Sequence, residues 1–219
     1  MLALVMTVGL VMLGLAIPRL GAALALLAGD GYLAQLQQGR SVSSEDLVTL
    51  VASRHAALGW QDDPRVRTDL AAGQLLLRMD KTGTPADHAL LDEAIEQLRQ
   101  GLSRAPLNAY AWARLSNAEW LAANPQAARS ASQLSLMTGR YLPGFLLPRI
   151  ILAWRTGMPT DEEGKAVLEQ TIRLAAQVSL PELTAAARQW GKIPEVRAAL
   201  EGDKGILKQW DLPPYQNAP

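Results

Sequence analysis

The chain of 219 residues carries 21 basic and 21 acidic side chains, so no net field draws it toward nucleic acid or a strongly acidic partner. It has no cysteine, which excludes disulfides, thiolate metal sites and cysteine nucleophiles. Its two histidines, His55 and His88, stand far apart without clustered carboxylates at metal-ligand spacing, so no metal or cofactor site is expected. Alanine and leucine dominate, β-branched runs are scarce and Phe145 is the only phenylalanine. This composition favours helices with close, small-residue packing over a sheet, and the expected class is all-α.

Residues 1–28 stand apart. Leu2 to Ile17 is apolar except for Thr7 and two glycines, and after Pro18-Arg19 the run resumes from Leu20 to Ala28. A membrane span needs about 20 such residues. A cleaved signal peptide is the rival reading, with Ala16 as a small residue at its cleavage site, but such peptides start with basic residues and this one does not. The segment is read as a transmembrane anchor. Arg19 can mark the end of a short span, snorkel to a headgroup, or face a partner helix together with Gly9 and Gly14. The next basic residues after it are Arg40 and Arg54, so the positive-inside rule has little to count. The working topology puts the N-terminus inside, in an inner (cytoplasmic) membrane, and the C-terminal domain outside in the periplasm.

Residues 29–43 read as a linker: Gly29-Asp-Gly31 breaks the run, and Tyr32 to Gln38 forms a short helix stopped by Gly39. Residues 44–210 read as one helical domain. Ser43 and Ser44 before Glu45 and Asp46 suit an N-cap, with a helix to about Leu58. Asp62-Asp63-Pro64 starts the next, where Val66, Leu70, Gly73 and Leu77 recur at helical spacing. Thr84-Pro85 opens a helix to Arg104, Asn108 caps another to Ala123, and Asn124-Pro125 turns into a fifth that Gly139 can end in the left-handed conformation. A short apolar helix follows around Leu146 to Arg155. Thr160 with Glu163, and Ser179 with Glu182, form capping-box patterns, the second helix closing at Gly191. Residues 211–219, with Pro213, Pro214 and Pro219, read as an irregular tail.

Between the second and third helices of that domain, Met79-Asp-Lys-Thr-Gly-Thr-Pro85 contains DKTGT, which resembles the phosphorylation motif of P-type cation-pumping ATPases. The resemblance implies an aspartyl-phosphate on Asp80, at the end of a buried parallel strand and beside later magnesium ligands. Here the preceding residues are helical in pattern, and the only GDG lies before the motif, at Gly29 to Gly31. After Gly202-Asp203, Leu207 stands where a second metal-binding aspartate belongs. Asp80 has no supporting constellation for nucleophilic catalysis and reads as a loop residue.

The stretch from Leu91 to Gly139 resembles the tetratricopeptide repeat, a 34-residue helix-turn-helix unit. Ala94, Leu98, Gly101 and Pro106 match the end of one unit, and Trp112, Leu115, Ser116 and Ala128 match the next, with Ala94 and Ala128 standing 34 residues apart. Glu119 departs from the family's tyrosine, Ser132 from a large apolar residue and Arg140 from the closing proline. The match covers about one and a half units; an unrelated bundle of alanine-rich helices is the alternative. The resemblance implies a short α-solenoid that binds protein partners through the first helix of each unit. Mapped here, that face presents Tyr110, Asn117 and Trp120, on one side of the helix by spacing and about opposite Leu115 and Ser116.

The expected function is a membrane-anchored scaffold or accessory subunit of a bacterial-type envelope complex, with protein partners and no nucleic acid. The layout is similar to auxiliary proteins of polysaccharide assembly and of cytochrome maturation. An enzyme is the reading set against it: Asp161, Glu162 and Glu163 could supply a carboxylate pair, but three acids at a helix start are explained by the helix dipole. No catalytic residue is assigned.

Overall fold

The computed structural model describes residues 2–79, 85–139, 141–159 and 161–211. Among them there are ten α-helices, one short 3₁₀ turn at Pro143–Phe145 and no strand. The fold is all-α, an apolar N-terminal helix followed by helices that pair with their chain neighbours. Asp80 to Thr84, Arg140, Thr160 and the tail from residue 212 lie outside the described residues, and so does the DKTGT segment. The residues before that segment form helix rather than the strand an aspartyl-phosphate site requires.

Contacts divide the chain into two compact units, Met1–Pro106 and Leu107–Pro219. The first contains α1 (Leu2–Gln37), α2 (Ser44–Trp60), α3 (Pro64–Met79) and α4 (Pro85–Arg104). Its helices run antiparallel in sequence. Ser43 caps α2 by accepting from the Asp46 N–H at 3.2 Å. The Asp62 carboxylate takes the Arg67 Nε–H at 2.6 Å and Arg104 Nη2 at 2.6 Å, fastening the start of α3 to the end of α4. Leu70, Ala94 and Leu98 are fully buried, as the helical spacing requires.

The break expected at Gly29–Gly31 does not occur. Helix α1 is continuous to Gln37 and stops only where Gly39 takes φ +71°. Gly29 serves close packing instead: a Cβ there would sit 2.2 Å from Ser53 Oγ and 2.6 Å from Arg54 Nη1. The packed length of α1 therefore begins before residue 28. Ala22 is buried with Ala57 and Val66, and Leu33 and Leu36 pack near Leu47 and Leu50. A hydrogen bond with the Asp46 carboxylate and then its charge hold the Tyr32 hydroxyl above the usual tyrosine range. Among the described side chains before Gly21, nearly all are exposed. Met6, Leu10, Leu13 and Ile17 are exposed large apolar side chains.

The second unit contains α5 (Ala109–Leu121), α6 (Pro125–Thr138), α7 (Leu146–Thr156), α8 (Glu162–Gln189), α9 (Ile193–Leu200) and α10 (Lys204–Trp210). Asn108 and Asn124 cap α5 and α6 by accepting from Ala111 and Ala127 N–H groups. The Ser116 hydroxyl donates to the Ala128 carbonyl at 2.7 Å and Ser135 to that of Ala109 at 2.8 Å. Such bonds form only where small side chains let two helices approach, which is what Ser116 and Ala128 promised.

Three termini differ from expectation. Gly139 is not left-handed, with φ −130° and ψ 66°. It is glycine because a Cβ would lie 2.5 Å from Ala109 Cβ and 2.9 Å from Leu142 Cδ1. Asp161, not Thr160, caps α8, accepting from Gly164 N–H at 2.7 Å. Gly191 has φ +64° and closes α8 as expected, while Ser179, with φ −155° and ψ 89°, kinks it where a new helix start was read. Helices α9 and α10 follow, and Trp210 is buried in the same core as Leu168, Ile172 and Leu183.

Candidate functional site

Helix α5 is buried on most sides: Ala113 is buried between Asn117 and Trp120, and Ser116, one turn before Trp120, lies on the side of Trp120 rather than opposite it. Leu115, Ser116 and Ala118 are buried, whereas Tyr110 is 46% and Trp120 38% exposed. Asn117 lies between them and is half-buried. The three residues do share one side of the helix, but each meets different surroundings. The Tyr110 ring stacks at a tilt on Phe145, with centroids 4.6 Å apart. Asn117 Oδ1 accepts from Arg155 Nη2 at 2.6 Å, so its side-chain oxygen already has a partner on α7. Trp120 carries the most open large surface of the three after Tyr110, and Leu121 beside it is also exposed. The face thus comprises aromatic ends and a fixed polar centre.

Phe145 and Arg155 were not foreseen as parts of this face. Both come from the segment around α7, more than 30 residues along the chain, and no spacing within α5 points to them. Arg149 on α7 is a further surprise. Its guanidinium is 1% exposed and donates to the Gly139 carbonyl and, at 3.3 Å, to that of Leu136. It meets the free carbonyls that end α6, where a cation is also favoured by the helix dipole. Burial pushes this guanidinium below its usual range, and the nearby Tyr110 acts in the opposite sense. Glu119, at the family's tyrosine position, is buried and accepts from Asn124 Nδ2 at 3.1 Å, so it braces the α5–α6 turn.

The proposed membrane contacts are not brought together. Gly9, Gly14 and Arg19 follow one another at five-residue steps, and each such step turns a helix by about 140°. They point in three directions, and no single partner helix can face all three. A Cβ at Gly9 or Gly14 would meet nothing within 4 Å.

Asp161 is occupied as an N-cap, with Glu162 and Glu163 in the first turn of α8, the arrangement the helix dipole favours. Among the described residues no group of three or more metal-ligating side chains gathers. In the first unit a shallow cleft is lined by Leu36, Val42, Leu47, Leu76 and Met79, with Arg40 as its charged group.

No known family model matches the chain, and no curated protein is similar to it in sequence. Among solved structures it is similar to the crystal structure of MamA protein. The identity is 14% and the TM-score 0.49, over 91% of this chain and 97% of that one.

Proposed function

We propose that this chain is a membrane-anchored protein-interaction module. The reading is supported above all by one observation, the bare apolar cylinder of α1 that runs without interruption into a packed helix hairpin. Among the described residues one helix is long and apolar enough to cross a membrane. A protein partner is proposed on the α5 face, where Tyr110 and Trp120 present exposed aromatic surface around the fixed Asn117. Aromatic side chains with a polar edge are the commonest hot spots of protein interfaces. The finer assignment is to the inner membrane, with the helical domain in the periplasm and the chain serving as a scaffold or accessory subunit of an envelope complex. It carries no catalytic role in this reading.

Recovery of the full-length protein from mild-detergent membranes tests it, and a stoichiometric protein partner is the expected result. The pair Tyr110→Ala and Trp120→Ala should weaken that partner by about 2 kcal/mol or more while helicity is retained. Turnover of an envelope substrate by the purified chain, with no partner recovered, would defeat the scaffold. A reporter active only outside the cytoplasm, fused after Pro219, should give signal.

A further inference from the structure

Helix α1 acts as a ruler. It runs as one α-helix from Leu2 to Gln37, with Pro18 inside it three residues before Gly21, so each residue's height along it follows at about 1.5 Å per step. At Gly21 the ruler meets the end of α2. A Cβ on Gly21 would lie 2.4 Å from Trp60 Cδ2, so the indole lies directly against the α1 backbone. Trp60 is the last residue of α2 and is 54% exposed.

Charge gathers at once beyond Trp60. The chain continues Gln61-Asp62-Asp63-Pro64-Arg65, and the Asp62 carboxylate binds both Arg67 and Arg104. The end of α2, the start of α3 and the end of α4 therefore share one level of the first unit, beside Gly21. Four arginines, Arg19, Arg65, Arg67 and Arg104, stand there against the aspartates Asp62 and Asp63. Arg19 and Arg65 are exposed, and so is Arg104.

Such a cluster is expelled from hydrocarbon, where each central charge costs about 2.5–3.5 kcal/mol even on the most lenient scale. If α1 spans a membrane, the hydrocarbon must end before Gly21. Leu2 to Leu20 then remains, about 28 Å of helix by its rise, against a core about 30 Å thick. The two lengths agree. Arg19 falls in the last turn, where its stem can snorkel to phosphate, and Trp60 falls where indoles collect.

We propose that this end of the first unit is a seat on the membrane surface, with Trp60 at the hydrocarbon boundary and Arg19 and Arg65 directed at lipid phosphates, while Arg104 stays paired with Asp62. The seat rests on the reading of α1 as a span. It shortens that span to residues 2–20. Residues 21–37 become the first helix of the folded unit, and Leu24 and Leu27, exposed on the side away from α2, lie in the headgroup layer.

The chain has no cysteine, so a single introduced thiol carries a nitroxide label without background. Full-length Leu10→Cys, Val48→Cys, Gly59→Cys and Ser103→Cys would be labelled in vesicles of phosphatidylcholine and phosphatidylglycerol. Depth is read from collisions with oxygen against a water-soluble nickel chelate. The label at 10 should be in hydrocarbon, those at 59 and 103 at headgroup depth, and that at 48 in water. Labels at 59 and 103 as wet as that at 48, or as deep as that at 10, overturn the seat while leaving the span intact. A wet label at 10 defeats the anchor itself, and the seat with it. Arg65→Gln should raise nickel-chelate access at position 103 at least twofold; unchanged access overturns the assignment of Arg65 to phosphate.

Discussion

Arg54 on α2 reaches back to α1 and binds Asp30 at 2.7 Å, while its other terminal nitrogen donates to the Leu26 carbonyl at 3.1 Å. The two partners are unequal: the Arg54 side chain is 1% exposed and that of Asp30 54%. Removing the exposed acid strands a buried cation, whereas removing the cation leaves an acid that water can solvate. Asp30→Ala should therefore destabilise the first unit by about 1–3 kcal/mol. Arg54→Met, which keeps the apolar stem, should cost less, and adding it to Asp30→Ala should recover stability. Denaturant unfolding of the four variants in detergent checks this; a double variant weaker than Asp30→Ala would show that the pair is not coupled in this way.

The two glycines of Gly29-Asp-Gly31 make a matched pair. Both are helical, but Gly29 lies against Ser53 and Arg54 whereas Gly31 has nothing within 4 Å of its missing Cβ. Gly31→Ala should stabilise α1 by about 0.5–1 kcal/mol, the ordinary gain of alanine within a helix. Gly29→Ala should destabilise by about 1–3 kcal/mol through overpacking. Equal effects from the two would mean that α1 does not pack on α2 at this level.

The same segment explains what could be read in the sequence. Helix starts were legible because Ser43, Asn108 and Asn124 satisfy backbone donors within three residues, a local event with a local signature. The alanines Ala94 and Ala128, 34 residues apart, were both legible as fully buried packing positions. Glycine was not legible in the same way. Its residue type alone does not distinguish a break from a close approach, and Gly29 and Gly139 are close approaches whose nearest neighbours, Ser53 and Ala109, come from other helices. For the candidate face, the spacing placed Tyr110, Asn117 and Trp120 on one side of α5 but could not supply Phe145 or Arg155, which fold back from around α7.

Gly139 sets a test of the second unit. A methyl group there would press on Ala109, on Leu142 and, at 3.3 Å, on the buried Arg149 guanidinium. Gly139→Ala should cost about 1–3 kcal/mol even though the backbone at this residue does not have positive φ. Gly144→Ala, where nothing lies within 4 Å, is the control and should change stability far less. A harmless Gly139→Ala would remove the close approach as the reason for glycine.

Asp62 links the first unit to pH. Its hydrogen bond from Arg67, with the charges of Arg67 and Arg104, outweighs desolvation and holds its carboxyl below the ordinary aspartate range. A depressed folded-state value means the unfolded chain binds the proton more readily, so the contribution is present above the unfolded value and fades as pH falls through the folded one. Stability should drop on acidification below about pH 4, and Asp62→Asn should flatten that limb while lowering stability at neutral pH. Parallel acid limbs for the two proteins would mean that Asp62 is not the group responsible.

The last prediction separates recognition from architecture on α5. Asn117 accepts from Arg155 at 2.6 Å, so Asn117→Ala takes a bond from a charged donor and should cost about 1.5–3 kcal/mol of stability in the second unit. Trp120 is exposed at the far end of the same face, and its replacement removes surface more than core. Trp120→Ala should leave stability within about 1 kcal/mol and act on the partner instead. The informative readout is the contrast. If Asn117→Ala weakens the partner in proportion to the unfolded fraction while Trp120→Ala weakens it in a fully folded protein, Asn117 is a brace and Trp120 a contact. If Trp120→Ala unfolds the unit, the indole belongs to the core and the proposed face has lost its anchor. If it leaves both stability and partner untouched, recognition lies elsewhere, and the bare length of α1 becomes the surface to test.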